Sequence, residues 1–175
     1  MERPMTLVFD IETNGKYQDV EVIHCLAIHD TDTTTTETYN DQSLTNTITE
    51  GITRLASADR IIGHNILSYD IPCIRKLYPF WDSDAQCLDT LLLSRLFHTN
   101  IFEIDKKHHW KGMPLQLYGR HSLESYGYRL NEHKGDYCKD TDWSEWSQEM
   151  EDYCRQDTIL TTKLWKHFLK YLNGS

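Results

Sequence analysis

Four carboxylates and a phenol, spread over three short segments, are the side chains of this sequence that could do chemistry together. LVFDIETNG carries Asp10 and Glu12, HNILSYD ends at Asp70, and DYCRQD holds Tyr153 and Asp157 four residues apart. Carboxylate oxygens are ligands for hard divalent cations. Two such ions about 3.5–4 Å apart can aim a water at a phosphodiester and stabilise the oxygen that leaves. A phenol titrates near about 10 and is a poor base at neutral pH, so Tyr153 would orient that water by a hydrogen bond rather than deprotonate it.

Each segment alone has a plainer account. Asp10 and Glu12 stand two apart at the end of an apolar run. On a strand both face one side of a sheet, which can be no more than a solvated strand end. Their mutual repulsion of a few kcal/mol at intermediate dielectric is the kind of cost a bound cation offsets. Tyr153 and Asp157 share a helix face, as many surface pairs do. Asp70 can be a carboxylate favoured by the positive end of a helix. The three segments together favour the metal-ion reading.

The elements that must position these groups can be read from hydrophobic spacing. Met5–Ile11 is predicted as a buried central strand, and Val20–Asp30 with Thr34–Tyr39 as an antiparallel hairpin turning at Asp30–Asp32. Leu44, Ile48, Ile52 and Leu55 mark a helical stripe with Ser43 as its cap. Arg60–Gly63 is predicted as a strand, Ser68–Tyr78 as a helix with Pro72 in its first turn, and Gln86–Leu88 as a strand leading into a helix that starts near Asp89. Thr99–Arg120 reads as an irregular, locally basic loop, His121–Tyr128 as a short helix, and Glu145–Leu172 as a helix broken near Asp157. Strands then helices in this order give an α/β fold, a mixed sheet with helices on its faces.

A chain of 175 residues, 39% hydrophobic, fits a single domain over residues 1–175. Its net charge of −9 argues against a stand-alone nucleic-acid binder, which is normally basic. It does not argue against a metal nuclease, but it predicts a weak grip on a polymer unless a partner supplies cationic surface. Five scattered cysteines without a C-x-x-C pair argue against a zinc ribbon and fit reduced, mostly buried thiols. The polar start and the lack of a long apolar run predict a cytoplasmic protein with no membrane partner.

FDIET, HNILSYD and YCRQD resemble the three exonuclease motifs of the DEDD, or DnaQ-like, superfamily, whose fold is RNase H-like. The tyrosine four residues before the last aspartate is similar to the DEDDy branch; the other branch has a histidine five before, where this chain has Asp152. LDTLLLSRLFHTN, GRHSLESYGYRLNEHKGDY and DWSEWSQEMEDYCRQD extend the likeness, which is greatest to the 3′→5′ proofreading domain of family A DNA polymerases of short-tailed phages. The resemblance implies an RNase H-like mixed sheet of about five strands with helices on both faces. It also implies two Mg²⁺ or Mn²⁺ ions per site and release of 5′-mononucleotides from DNA 3′ ends, single-stranded or frayed ends preferred. By the same likeness Asp10, Glu12 and Asp157 would ligate one ion, Asp10 and Asp70 the other, and Thr13, Asn65 and Tyr69 would contact the terminal nucleotide. The several hundred residues of a polymerase domain are not in this sequence, so polymerase activity is not expected; a separate DNA polymerase is a partner the likeness admits. If phage-encoded, the protein would work in host cytoplasm.

Two other functions fit the same fold, a 3′→5′ exoribonuclease and a non-catalytic RNase H-like docking module. Among lesser candidates, His108 and His109 are adjacent and point apart, which does not suit one ion. Lys106–Lys111 with Trp110 is a solvated loop or a backbone contact for DNA. Asp89 is predicted to cap the helix it precedes.

Overall fold

The computed structural model describes residues 3–133 and 141–173. Its centre is β1 (Thr6–Thr13), flanked by the antiparallel β2 (Ile23–Asp30) and β3 (Thr35–Tyr39) on one side and by the parallel β4 (Arg60–Gly63) and β5 (Gln86–Asp89) on the other. The order β3-β2-β1-β4-β5 is a mixed five-stranded sheet. Alternation along β1 sends Leu7, Phe9 and Ile11 to one face and Val8, Asp10 and Glu12 to the other.

On the first face Leu7, Phe9 and Ile11 pack against Ile48, Ile52 and Leu55 of α1 (Ile48–Ala56) and Ile71 and Ile74 of α2 (Ile71–Leu77). On the second, Val8 and Ile62 meet Leu93 of α3 (Thr90–Phe97), Ile101 of α4 (Ile101–His108), Tyr126 of α5 (Leu123–Arg129), and Leu164, Trp165 and Phe168 of α6 (Gln148–Leu172). Helix α6 runs on across this face, where Met150 and Cys154 cover Cys25 and Ala27 of β2. Asp10 and Glu12 therefore end a strand directly under the longest helix.

The strand positions and the hairpin match the sequence reading, and the fold class is the expected one. The hairpin turn is closed by Asp30 Oδ1, which accepts from the Asp32 and Thr33 N–H groups at 2.9 and 3.3 Å. Four details differ. Helix α1 begins at Ile48 with Thr47 as its cap, not at Ser43, and Leu44 is 95% exposed. Ser43 Oγ is engaged with Thr45 instead, and Asn46 takes a positive φ of 53°, so local side-chain bonds outcompete an earlier helix start.

The segment over 99–120 is not a loop throughout: it contains α4 and a 3₁₀ turn at Leu115–Leu117. Asp105, buried in α4, ties the segment together by accepting from Trp110 and Gly119 N–H groups on either side of that turn. Helix α6 is unbroken through Asp157. Its Thr158, Thr161 and Thr162 hydroxyls donate to carbonyls four residues back at 2.7–2.9 Å, which lets a β-branched polar run stay helical while buried. The helix around Asp70 begins with a π-helical turn, Ile66–Asp70, before α2. Cys25, Cys73 and Cys154 are buried free thiols and Cys87 is partly buried, while Cys138 lies outside the described residues. No helix among the described residues is long and apolar enough to cross a membrane.

Candidate metal centre

Asp10 and Glu12 occupy the last turns of pleat before β1 bends: its register with β2 shifts between Glu12 and Thr13. Asp70 arrives from the end of the neighbouring strand by a tight path. Gly63 closes β4, and a Cβ there would lie 2.2 Å from Ile66 Cγ2 and 2.9 Å from the Phe9 carbonyl oxygen, so only glycine lets the chain fold back here. Asn65 follows in the left-handed region at φ 65°, a conformation asparagine tolerates better than most residues.

Asp89 braces this turn. It caps α3 by accepting from Leu91 N–H at 2.9 Å, and it also accepts from Asn65 N–H at 2.8 Å and Leu67 N–H at 3.1 Å. At the far end Asp70 Oδ2 accepts from Ile11 N–H at 3.3 Å, which sets it beside β1 between Asp10 and Glu12 in sequence. Asp157 and Tyr153 are one turn apart on α6, above the same strand.

The structure thus draws the three segments to one place. Ligand atoms of Asp10, Glu12 and Cys154 all lie within 4.8 Å of one another. Asp70 and Asp157 stand outside that tight group yet act on it by charge. Burial pushes the Asp10 carboxyl well above its usual range, and the neighbouring Asp70 charge adds to this. Glu12 is raised by burial and then by Asp10 and Asp157. Asp157 is raised by burial and by Asp10. Asp70 is pushed up to about 8, chiefly by burial, against the pull of the Ile11 N–H. None of the ion pairs among the described residues includes any of the four. Asp10 Oδ2 is buried without a hydrogen-bond partner.

An orphaned, buried carboxylate oxygen amid three more carboxylates is a donor set waiting for positive charge, and all-oxygen donors fit Mg²⁺ or Mn²⁺. Cys154 is the soft exception. Its thiol donates to the Asp10 backbone carbonyl at 3.3 Å, and burial holds it well above its ordinary pKa, so it stays a protonated brace under β1.

A family model for RNase_H_2, of the RNase H superfamily, matches residues 7–169. The chain belongs to the RNase H superfamily. Over 93% of its length it is 31% identical to the DNA-directed DNA polymerases of Escherichia phage T7 and Enterobacteria phage T3, and it spans about a quarter (26%) of the length of each. Among solved structures of this superfamily's fold, Brucella melitensis NrnC overlays with a TM-score of 0.64 at 16% identity, covering 96% of this chain and 74% of NrnC. NrnC has also been solved with bound Mg²⁺ and bound to pGG, each with a TM-score of 0.62.

In this RNase H-like setting one cleft includes Glu12 in its wall, and a second opens at His64 and Asn65, just before the turn that ends at Asp70. One, of about 340 Å³, is lined by Glu12, Thr13, Gly15, Lys16, Tyr69 and Trp143. Here the Tyr69 hydroxyl donates to the Gly15 carbonyl and touches Thr13 Oγ1, which itself donates to Gly15 O at 2.9 Å. Asn14 Oδ1 closes the loop behind by accepting from Glu21 and Val22 N–H groups. The other cleft, of about 540 Å³, is lined by His64, Asn65, Arg95, Arg120 and His121 among others. Thr13 and Tyr69 therefore share one cleft and Asn65 belongs to the other.

Sequence reasoning missed several contributors. Asp89 was legible as a helix cap, but its grip on the Asn65 turn leaves no sequence signal. Trp143 reaches the first cleft because His24 Nε2 holds its carbonyl at 2.8 Å, a contact spanning more than a hundred residues. His108 stacks on Trp110 at 4.6 Å, and the Trp110 indole N–H donates to Asp105 at 2.8 Å, so this aromatic pair serves the fold.

Proposed function

We propose that this protein is a two-metal-ion 3′→5′ exonuclease that removes mononucleotides from DNA 3′ ends. The single observation that carries the reading is the buried, partnerless Asp10 Oδ2 within a set of four carboxylates that raise one another and that no ion pair among the described residues neutralises. Asp10, Glu12 and Asp157 would hold one Mg²⁺ or Mn²⁺, and Asp10 with Asp70 the other. When bound, the ions supply an acidified water and a counterpart for charge building on the phosphoryl and leaving oxygens.

The chain's own groups do the rest. Tyr153 accepts or donates one hydrogen bond to the attacking water and fixes its line of approach. The water oxygen forms the new P–O bond while the bond to the 3′ oxygen breaks, and a proton ends on that 3′ oxygen. The products are a 5′-mononucleotide and a strand shortened by one. Thr13 and Tyr69 seat the terminal nucleoside in the cleft beside Glu12, with Asn65 on its upstream side. The 31% identity to T7 and T3 DNA polymerases supports DNA as substrate, proofreading as a role and a separate polymerase as partner.

A second reading, an exoribonuclease or short-oligonucleotide hydrolase, draws support from the NrnC likeness, one form of which is bound to pGG. Parallel digestion of matched 3′-end DNA and RNA oligonucleotides with Mg²⁺ or Mn²⁺, with product identification, tests both. Faster release of deoxynucleoside 5′-monophosphates is expected. Preference for RNA would move the assignment to the second reading. No release from either, together with no Mn²⁺ binding by calorimetry, would leave a docking module.

A further inference from the structure

The larger cleft has no acidic residue in its lining, although the protein carries a net charge of −9. It lies close to the carboxylates. β4 pairs in parallel with β1 as far as Val8–Ile62 and ends at Gly63, and the cleft residues His64 and Asn65 follow at once and lead into the Ile66–Asp70 turn that delivers Asp70. The cleft therefore shares a wall with the turn that carries one of the four carboxylates.

Its shape is fixed from beneath. His64 is locked between Thr90 Oγ1 at 2.8 Å and the His121 carbonyl at 2.9 Å, and His121 Nδ1 meets Ser94 Oγ at 2.6 Å. Arg129 donates to the Arg120 carbonyl at 2.7 Å, and Asp105 accepts from Gly119 N–H at 2.9 Å, which anchors the 119–121 wall to a buried ion pair. Arg95 and Arg120 are exposed, and neither takes part in an ion pair among the described residues. Burial lowers His64 to about 4 and lowers His121 as well, so the positive charge is that of the two guanidiniums and the imidazoles serve as neutral hydrogen-bonding walls.

We infer that this cleft is a phosphate subsite for the strand upstream of the cut, with Arg95 and Arg120 holding the phosphodiesters that precede the terminal nucleotide. The inference rests on the nuclease reading above and deepens it. Guanidinium forks match phosphate oxygens geometrically and stay charged at any working pH. Asn65 lies at the boundary, where the terminal and preceding nucleotides would meet. An otherwise acidic enzyme thereby gains a local grip on a polyanion without a basic surface elsewhere. It follows that affinity grows with strand length only over the few nucleotides that reach the cleft.

The test is competition binding by fluorescence anisotropy, with Ca²⁺ in place of Mg²⁺ and unlabelled thymidine dinucleotide and octanucleotide as competitors, for the wild type, Arg95→Ala/Arg120→Ala and Arg95→Lys/Arg120→Lys. Circular dichroism checks that the exposed substitutions leave the fold intact. The wild type should bind the octamer about tenfold or more tighter than the dimer, the scale of charge-assisted hydrogen bonds. The double alanine variant should lose most of that step, and its log affinity against log salt should flatten by about 1.4, two phosphates at about 0.7 each. The lysine pair should recover the salt slope. Hydrolysis of the dinucleotide with Mn²⁺ should stay within about twofold of wild type, since neither arginine touches the terminal residue. An alanine variant that keeps both the length step and the salt slope overturns the inference. If the wild type binds the octamer in an arginine-dependent way yet cleaves nothing, the nuclease reading fails and the subsite stands; no binding of the octamer at all defeats the subsite.

Discussion

Two buried carboxylate sites in this molecule are built on opposite principles. Asp105 is wholly buried and fully answered: Arg129 meets it through Nε at 2.9 Å and Nη2 at 2.7 Å, Trp110 N–H at 2.8 Å and Gly119 N–H at 2.9 Å. Burial alone would raise its carboxyl, but the Arg129 bonds and the other donors win, and it ends below the ordinary range. Asp10, on the central strand, is buried at Oδ2 with no hydrogen-bond partner there, and it ends well above that range. A protein able to satisfy one buried carboxylate so fully leaves another unsatisfied only where something from outside completes it. The first site anchors the 119–121 wall of the larger cleft; the second, on the reading proposed above, would be completed by cations.

The contrast is broken most severely at the second site. Asp10→Ala should abolish nucleotide release, a loss of about ten-thousandfold or about 5.5 kcal/mol of transition-state stabilisation, while the fold survives. Retained digestion by this variant, with its circular dichroism unchanged, would remove Asp10 from the chemistry. At the first site the effect falls on folding. Arg129→Met leaves Asp105 charged and unpaired, and urea unfolding should show a loss of about 3–5 kcal/mol. Adding Asp105→Leu should recover much of it, because removing both charges is milder than stranding one. A double variant as unstable as Arg129→Met alone would show that packing, not the stranded charge, sets the cost.

The two sites also answer pH differently. The metal-centre carboxyls titrate higher in the folded protein than in the unfolded chain, where they titrate near about 4. Without metal the folded state therefore binds protons more tightly, so the stability these groups contribute is complete below about 4 and drains away as pH climbs through about 8, the value for Asp70. Thermal melts in EDTA should show Tm falling from pH 5 to pH 8. Saturating Mn²⁺ should restore Tm at pH 8 and do little at pH 5, where protons already occupy the oxygens. Asp105, lowered rather than raised, contributes no loss in that window. A flat profile in EDTA would mean the carboxylates are solvated and uncoupled.

The same contrast explains what could be read from sequence. Strands, the Asp10 and Glu12 pair of β1 and the Tyr153 and Asp157 pair of α6 announce themselves by alternation and by spacing of four, because one covalent neighbourhood sets each. The hairpin turn at Asp30 is equally local. Asp89 and Asp105 are different: their partners lie 22–24 and 5–24 residues away, and they look like an ordinary cap and an ordinary surface acid. Reading 99–120 as a loop failed for this reason, since α4 is held by Asp105 meeting Arg129 from a later helix. The helix predicted to break near Asp157 runs through it because the buried threonines that follow turn their hydroxyls back onto the backbone, a pairing that depends on burial and leaves no local signal. Arg95 sits on an exposed helix position and gives no sign that it faces a cleft shared with Arg120.

The smallest expected effect separates positioning from proton transfer at the metal centre. Tyr153 is half-buried one turn before Asp157, and Tyr153→Phe removes an oxygen and nothing else. One hydrogen bond to the attacking water is worth about 1–2 kcal/mol, so kcat should fall about fivefold to thirtyfold. KM and Mn²⁺ affinity should hold, because the phenol is not counted among the ligands. The shape of the pH–rate profile should hold as well, since a phenol that only orients water never enters the proton inventory. A thousandfold loss together with a shifted alkaline limb would instead make Tyr153 the base, and the burden of forming the nucleophile would pass from the carboxylate-bound cations to the helix above them.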